Sequence, residues 1–293
     1  MALVDFTPKK TIEHTPRWHT SKTYILHSDQ AEAQRLKAQH AMLRDVYEGR
    51  IVLAPVTVVE KSEVLDVGTG SGAWAVEFLS TYPNALKVKV LCIDIGTRLF
   101  PQYPPANATF EVGNILDIPQ EWNNRFSLVH QRLLVGALKS NEWEQAIQNI
   151  FRITAPSGWI QLTEAYIDKN IFSGGPASLK GMAIYDILAK TVGLDIFCTW
   201  RLEKILKEAG FTDIQAIRVT VPIGAWNGEL SGRVARNMTN FFRGLKTPVL
   251  CNGGFGIVDN ESEFDKLMDA MDEEWKKPGT SIDWHSYIGR KAV

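Results

Sequence analysis

The chain has 293 residues, 45% hydrophobic and 22% charged, with a formal net charge of -1. That balance describes a globular protein and gives no whole-chain attraction for nucleic acid. Three separated cysteines without a C-x-x-C pair exclude a disulfide framework and a thiolate zinc site, and no apolar run is long enough to cross a membrane, so the expectation is one soluble, cytoplasmic domain over 1–293.

In chain order, residues 1–21 are polar and irregular, with Pro8 and Pro16. Ser28 to Tyr47 has helical spacing, with Ser28 as the expected N-cap and Gln39 and His40 on the pattern. Gly49 and Pro55 then break the chain. The next stretch, Glu63 to Glu77 (EVLDVGTGSGAWAVE), is a short apolar run with Asp66 inside it, three alternate glycines at Gly68, Gly70 and Gly72, and an apolar pattern at helical spacing. Strand, glycine turn and helix together present a helix N-terminus to a nucleotide-like ligand. The second strand, Lys87 to Ile95, ends in Asp94, about 20 residues past the glycine turn, where an acid accepts hydrogen bonds from ribose hydroxyls. A third strand begins at Thr109 and runs into a loop with Asn114, Ile115 and Asp117.

Phe126 to Leu138 reads as a fourth strand entering a helix, with His130 at the strand's carboxyl end, where open parallel sheets place their ligands. A helix over Glu142–Arg152 and a fifth strand over Trp159–Ala165, carrying Glu164, follow. Helices around Leu179–Val192 and Leu202–Ala209, a sixth strand over Ile214–Ile223 and a last strand over Trp284–Arg290 complete the pattern. Between the last two strands lies an insertion rich in Trp, Met and Phe.

Gly68, Gly70 and Ala73 satisfy the dinucleotide pattern G-x-G-x-x-A, which leaves NAD open. With Asp66 in front, however, the glycines resemble motif I (D/E-x-G-x-G-x-G) of class I S-adenosylmethionine-dependent methyltransferases. In that family the acid faces the amino-acid end of the cofactor, whereas a pyrophosphate beside it would be repelled. The segments 109–119 and Pro156 to Glu164 resemble further motifs of that family, and residues 24–40 and the V-H-Q-R run ending at Arg132 resemble a fungal secondary-metabolism group within it. Asn114 and Ser127 depart from the family's usual acids.

The resemblance implies an α/β, Rossmann-like, doubly wound and mostly parallel sheet: a cofactor core at 60–165, a lid helix at 22–50, and substrate-cover helices at 170–200 and 224–280. It implies S-adenosylmethionine as cofactor, S-adenosylhomocysteine as product, no metal, and a small-molecule acceptor methylated on oxygen. Cofactor contacts are expected from Tyr24, Gln39, Asp66, Gly68, Gly70, Gly72, Asp94, Ile95, Asn114, Ile115 and His130, the Asn114 amide oxygen accepting from the adenine amino group. Catalytic candidates are His130, His40 and Glu164. Nucleic acid and membrane are not expected as partners, and monomer and homodimer stay open. So do a non-methylating enzyme using the same cofactor and a regulatory protein with this fold.

Overall fold

The computed structural model describes residues 26, 29–81, 87–167 and 174–293; Tyr24 and Ser28 lie outside the described residues. The first helix, α1 (Gln30–Val46), is capped by Asp29, whose side chain accepts the Glu32 N–H at 2.9 Å.

Seven strands form one sheet: β1 (Glu63–Val67), β2 (Lys89–Asp94), β3 (Ala108–Val112), β4 (Phe126–Arg132), β5 (Thr154–Tyr166), β6 (Phe211–Pro222) and β7 (Ser281–Lys291). Their order is β3-β2-β1-β4-β5-β7-β6. Only β7 runs against its neighbours; every other pairing is parallel. The mostly parallel, doubly wound expectation is therefore met. Chain order reverses between β1 and β4, which sets the carboxyl ends of β1, β2 and β4 side by side, the place where such sheets open a crevice.

Alternation along β1 sorts the core into two faces. Val64 joins Val90, Cys92 and Leu128 under Trp74, Ala75 and Phe78 of α2 (Ala73–Thr81). Leu65 and Val67 point the other way and join Val129, Ile160 and Leu162 under α3 (Trp143–Ile153). That second face continues beneath α4 (Pro176–Val192), α5 (Leu202–Ala209), α6 (Glu229–Gly244), α7 (Lys246–Cys251) and α8 (Glu261–Glu274). α4 is fixed at its start by Glu274 at the end of α8, whose carboxylate accepts the N–H groups of Ala177 and Ser178 at 2.7 and 2.8 Å.

Several boundaries differ from the sequence reading, among them β2, which begins at Lys89, α4, at Pro176, and β7, at Ser281; three others involve irregular backbone. β4 passes not into an α-helix but into a short 3-10 turn at Leu134–Gly136, because Leu133 adopts φ 59 and breaks the periodicity. β5 begins at Thr154 rather than Trp159, absorbing an irregularity at Ser157 with φ 63. β6 likewise begins at Phe211, with a register shift between Thr212 and Gln215.

All three glycines of the turn between β1 and α2 have positive φ (63, 54 and 70°). A Cβ on Gly72 would also lie 2.6 Å from the Phe110 ring of β3. Gly49, with φ 82, has nothing within 4 Å. Gly72→Ala is therefore expected to combine left-handed strain of about 1–2 kcal/mol with overpacking of about 1–3 kcal/mol, whereas Gly49→Ala carries the strain alone. Thermal unfolding of the ligand-free proteins checks this: Gly72→Ala should melt several degrees below Gly49→Ala.

Candidate active site

A cavity of about 480 Å³ opens at the carboxyl ends of β1, β2 and β4. Its polar half is lined by the glycine turn (Gly68, Thr69, Gly70, Ser71), by Asp66, Asp94, Ile95, Asn114, Ile115, His130 and Arg132, and by Arg35, Leu36 and Gln39 of α1. Its apolar half is lined by Leu133–Leu138 after β4, by Tyr185 of α4, by Asn237, Met238, Phe241 and Phe242 of α6, and by Trp284 of β7.

The polar half is built from the sheet outward. Asp66 is 3% exposed on a central strand, so its carboxylate has to be satisfied inside the protein. Oδ2 accepts the Thr69 hydroxyl at 2.6 Å, and Oδ1 lies 2.7 Å from Nδ1 of His130, its register partner on β4. The imidazole stacks on Trp74 of α2, centroids 3.7 Å apart and planes 5° from parallel. Burial, the largest influence, pulls the His130 pKa down to about 4, so the ring is neutral. With Nδ1–H donating to the Asp66 carboxylate, Nε2 is a bare lone pair; it is buried and has no hydrogen-bond partner among the described residues.

Asp94 accepts the Gly70 N–H at 2.8 Å, and burial raises its pKa above the usual carboxylate value. Asn114 spends one lone pair of Oδ1 on the Leu116 N–H at 3.0 Å. The amide oxygen expected to accept from adenine is thus already half engaged by its own turn, and the carboxamide is left one lone pair and its NH2 for a ligand. These groups fit a nucleoside with a charged tail: glycines that clear the backbone's approach, an acid at the end of β2, an amide after β3, and an orphaned acceptor on β4.

Of the expected site residues, Gln39, Asp66, Gly68, Gly70, Asp94, Ile95, Asn114, Ile115 and His130 come together on this wall. Gly72 does not line it and serves instead as the close contact with Phe110. Nor does His40, which is 7% exposed and held between Glu77 of α2 and the Arg132 guanidinium, the latter donating to Nδ1 at 3.0 Å. Glu164 is also off the wall and wholly buried. Its carboxylate accepts from the Gln131 amide and from the N–H groups of Leu134 and Val135, at 2.8 and 3.1 Å, fixing the 3-10 turn that lines the apolar half. Neither His40 nor Glu164 can therefore act as a base on a bound molecule without first leaving these partners.

Sequence reasoning set Arg132 at the carboxyl end of β4 without giving it a role, and missed Asn237 and Trp284. Arg132 sits two residues beyond His130 on the same face of β4, and that spacing was the available signal. Asn237 and Trp284 gave none, since an apolar helical pattern and a strand conceal which members face a cavity. In the cover helices, Tyr185, Met238, Phe241 and Phe242 line the cavity, while Met268, Met271 and Trp275 are core.

Residues 64–158 match the family described as a methyltransferase domain. The N-methyltransferase sirN of Leptosphaeria maculans is 26% identical over 276 residues, covering 92% of this chain and 94% of its own. The N-methyltransferase gliN of Aspergillus fumigatus is 27% identical over 286 residues, covering 92% and 96%. Among solved structures, phosphoethanolamine N-methyltransferase 2 of Haemonchus contortus, in complex with phosphomonomethylethanolamine and S-adenosylhomocysteine, shares the fold at a TM-score of 0.51 and 15% identity. That match covers 88% of this chain and 58% of the other, so the chain spans less than two thirds of that structure. These findings bear out the resemblance to class I S-adenosylmethionine-dependent methyltransferases, with fungal N-methyltransferases among the relatives.

Burial, acting against its three donors, raises the Glu164 pKa from 4.5 to about 7. A folded-state pKa above the unfolded one means that the native state binds the extra proton between those values. The associated stability is complete below about pH 4.5 and is lost as the pH rises through 7. Unfolding free energies measured from pH 5 to 8 should therefore fall more steeply in the wild type than in Glu164→Gln, which cannot titrate.

Proposed function

We propose that this chain transfers a methyl group from S-adenosylmethionine to a nitrogen of a small, largely apolar acceptor. The observation that carries the reading is one continuous cavity whose polar half fits a nucleoside with a charged tail and whose apolar half is roofed by Tyr185, Phe241 and Phe242. The names of relatives that align along nearly the whole chain favour nitrogen over the oxygen expected from sequence.

Bound S-adenosylmethionine would supply a methyl carbon activated by the sulfonium charge, and transfer would leave S-adenosylhomocysteine. The residues of this chain hold and align. The glycine turn gives the nucleoside backbone clearance, Asp94 accepts from the ribose hydroxyls, and Asn114 addresses the adenine edge. Leu36 and Gln39 of α1 cover this half against water. The turn that Glu164 secures, Leu134–Gly136, walls the junction between the two halves, where donor and acceptor meet.

In the apolar half, Asn237 Oδ1 and Trp284 Nε1 are buried without a hydrogen-bond partner among the described residues. An acceptor and a donor in an apolar chamber orient a neutral molecule by its polar atoms. A neutral nitrogen attacks through its own lone pair and sheds its proton afterwards, so alignment matters more than a base. This agrees with the commitment of Glu164 and His40 to other partners and with the low proton affinity of His130.

Calorimetric titration tests the cofactor, and labelled-methyl transfer tests the atom. S-adenosylmethionine and S-adenosylhomocysteine should bind with micromolar affinity and NAD should not. Asp94→Ala, removing a charged partner of two hydroxyls, should weaken both by about 10–100-fold. With 13C-methyl cofactor and an extract containing acceptors, the product should show the carbon shift of an N-methyl group. An O-methyl shift would overturn nitrogen alone, and absence of binding to folded protein would overturn methyl transfer altogether.

A further inference from the structure

The two halves of the cavity are joined by a relay of side chains that runs outside it. Arg132 lines the polar half, and its guanidinium donates to Nδ1 of His40 on α1 at 3.0 Å. Burial lowers the His40 pKa, so the ring is neutral and its Nε2–H donates to Glu77 of α2. The other oxygen of Glu77 accepts from Arg44, back on α1, at 3.4 Å, and Arg44 Nε donates to Asp45 Oδ1 at 3.1 Å. Asp45 Oδ2 accepts from Arg233 of α6. The relay thus starts on the polar wall and ends on the helix that carries Asn237, Met238, Phe241 and Phe242 of the apolar half.

Its last link bears on the acceptor chamber directly. Arg233 and Asn237 are four apart on α6 and lie one above the other, so fixing the first sets how the second faces the chamber. Among the described residues Arg233 hydrogen-bonds Asp45 alone, and its Nε is buried without a partner. Loss of Asp45 would leave that half-buried cation without its counter-charge. At the other side α1 packs on the glycine turn: Leu36 Cδ1 lies 3.0 Å from where a Cβ on Gly70 would be, and Leu36 and Gln39 line the polar wall.

Resting on the S-adenosylmethionine reading above, we propose that Asp45 and Arg233 are positioning residues that couple the two halves. Cofactor bound against α1 fixes that helix, and the ion pair passes the constraint to α6, so the acceptor chamber takes its working shape once the cofactor is in place. Neither residue lines the cavity; both act through the helices that do. The two substrates then bind with positive coupling, because a ligand that orders a shared helix lowers the ordering cost for the next. Alignment is what the transfer asks of this protein, and a chamber completed over bound cofactor holds the acceptor nitrogen in line with the methyl group.

Backbone hydrogen exchange, with S-adenosylhomocysteine as the probe, reads this coupling without an identified acceptor. In the wild type, saturating S-adenosylhomocysteine should slow exchange in α1 and, by at least about fivefold, in α6. α5, which packs on α3 and β6, should not change. In Asp45→Asn the ligand should bind within about threefold of wild type by calorimetry and still slow α1, while its effect on α6 falls below about twofold. Asp45→Glu, which keeps the charge, should restore most of the effect. The quantity compared is the ratio of rates with and without ligand. A pair that merely steadied the fold would raise α6 exchange in both states and leave that ratio intact, so an unchanged ratio in Asp45→Asn overturns the proposal. A wild type in which ligand slows α1 but not α6 overturns it too, and leaves the cofactor reading standing. Should Asp45→Asn fail to fold, Arg233→Lys carries the test: charge without the fork should give a ratio between wild type and unity, and a wild-type ratio there counts equally against the pair. Wild-type protein that binds no S-adenosylhomocysteine overturns the cofactor reading, and this coupling with it.

Discussion

A carboxylate on an interior strand of a mostly parallel sheet is the constraint around which the polar half of the cavity is arranged. Asp66 cannot reach bulk water, so each oxygen must find a donor inside the protein. Thr69 in the glycine turn provides one and His130 on the neighbouring strand the other. The histidine is then held by Trp74, whose indole N–H donates to the Ile51 carbonyl. Gln161 on β5 completes the row: its amide donates to the same carbonyl and its oxygen accepts from Leu53 and Ala54. One buried charge thereby ties together the turn, three adjacent strands, α2 and the connection leading into β1.

A second buried carboxylate, Glu164, organises the other half by different means. Among the described residues it has no ion-pair partner and relies on an amide and two backbone N–H groups. What it secures is a backbone shape, the left-handed Leu133 and the turn beyond it, which the local sequence would not adopt unaided. Leu134 also touches the place where a Cβ on Gly68 would lie, at 2.9 Å, so the turn and the glycine cradle fit against each other. The two carboxylates thus fix the two sides of one junction, and neither needs to transfer a proton to do so.

These roles explain what the sequence made legible. The glycine turn, Asp94 and the strand–helix alternation follow local rules of spacing and backbone conformation, so the sheet and the polar wall of the cavity could be read directly. Glu164 and His40 could not be assigned correctly because a titratable residue near a strand end has the same pattern whether it faces a ligand or a backbone turn. The difference lies in partners 29 positions away in sequence for Glu164–Val135, and 37 for His40–Glu77. The 3-10 turn after β4 was misread for the same reason: LLVGAL has helical spacing, and only a distant carboxylate diverts it. Asn237 and Trp284 lay hidden because apolar periodicity identifies a buried face without saying whether it meets core or cavity.

The proposed nitrogen acceptor rests on both long-range geometry and elementary chemistry. An oxygen acceptor with an O–H requires a group able to take its proton, placed on the cavity wall and near neutrality. Glu164 has a suitable proton affinity, with its pKa raised to about 7, but is not on the wall. His130 is on the wall, but its pKa is lowered to about 4, too low for it to hold the proton. Affinity and position are thus separated onto different residues. A site so divided suits a nucleophile that attacks with its own lone pair, and the N–H and carbonyl oxygen of Trp284 and Asn237 suit an acceptor held by neutral polar atoms in an apolar chamber.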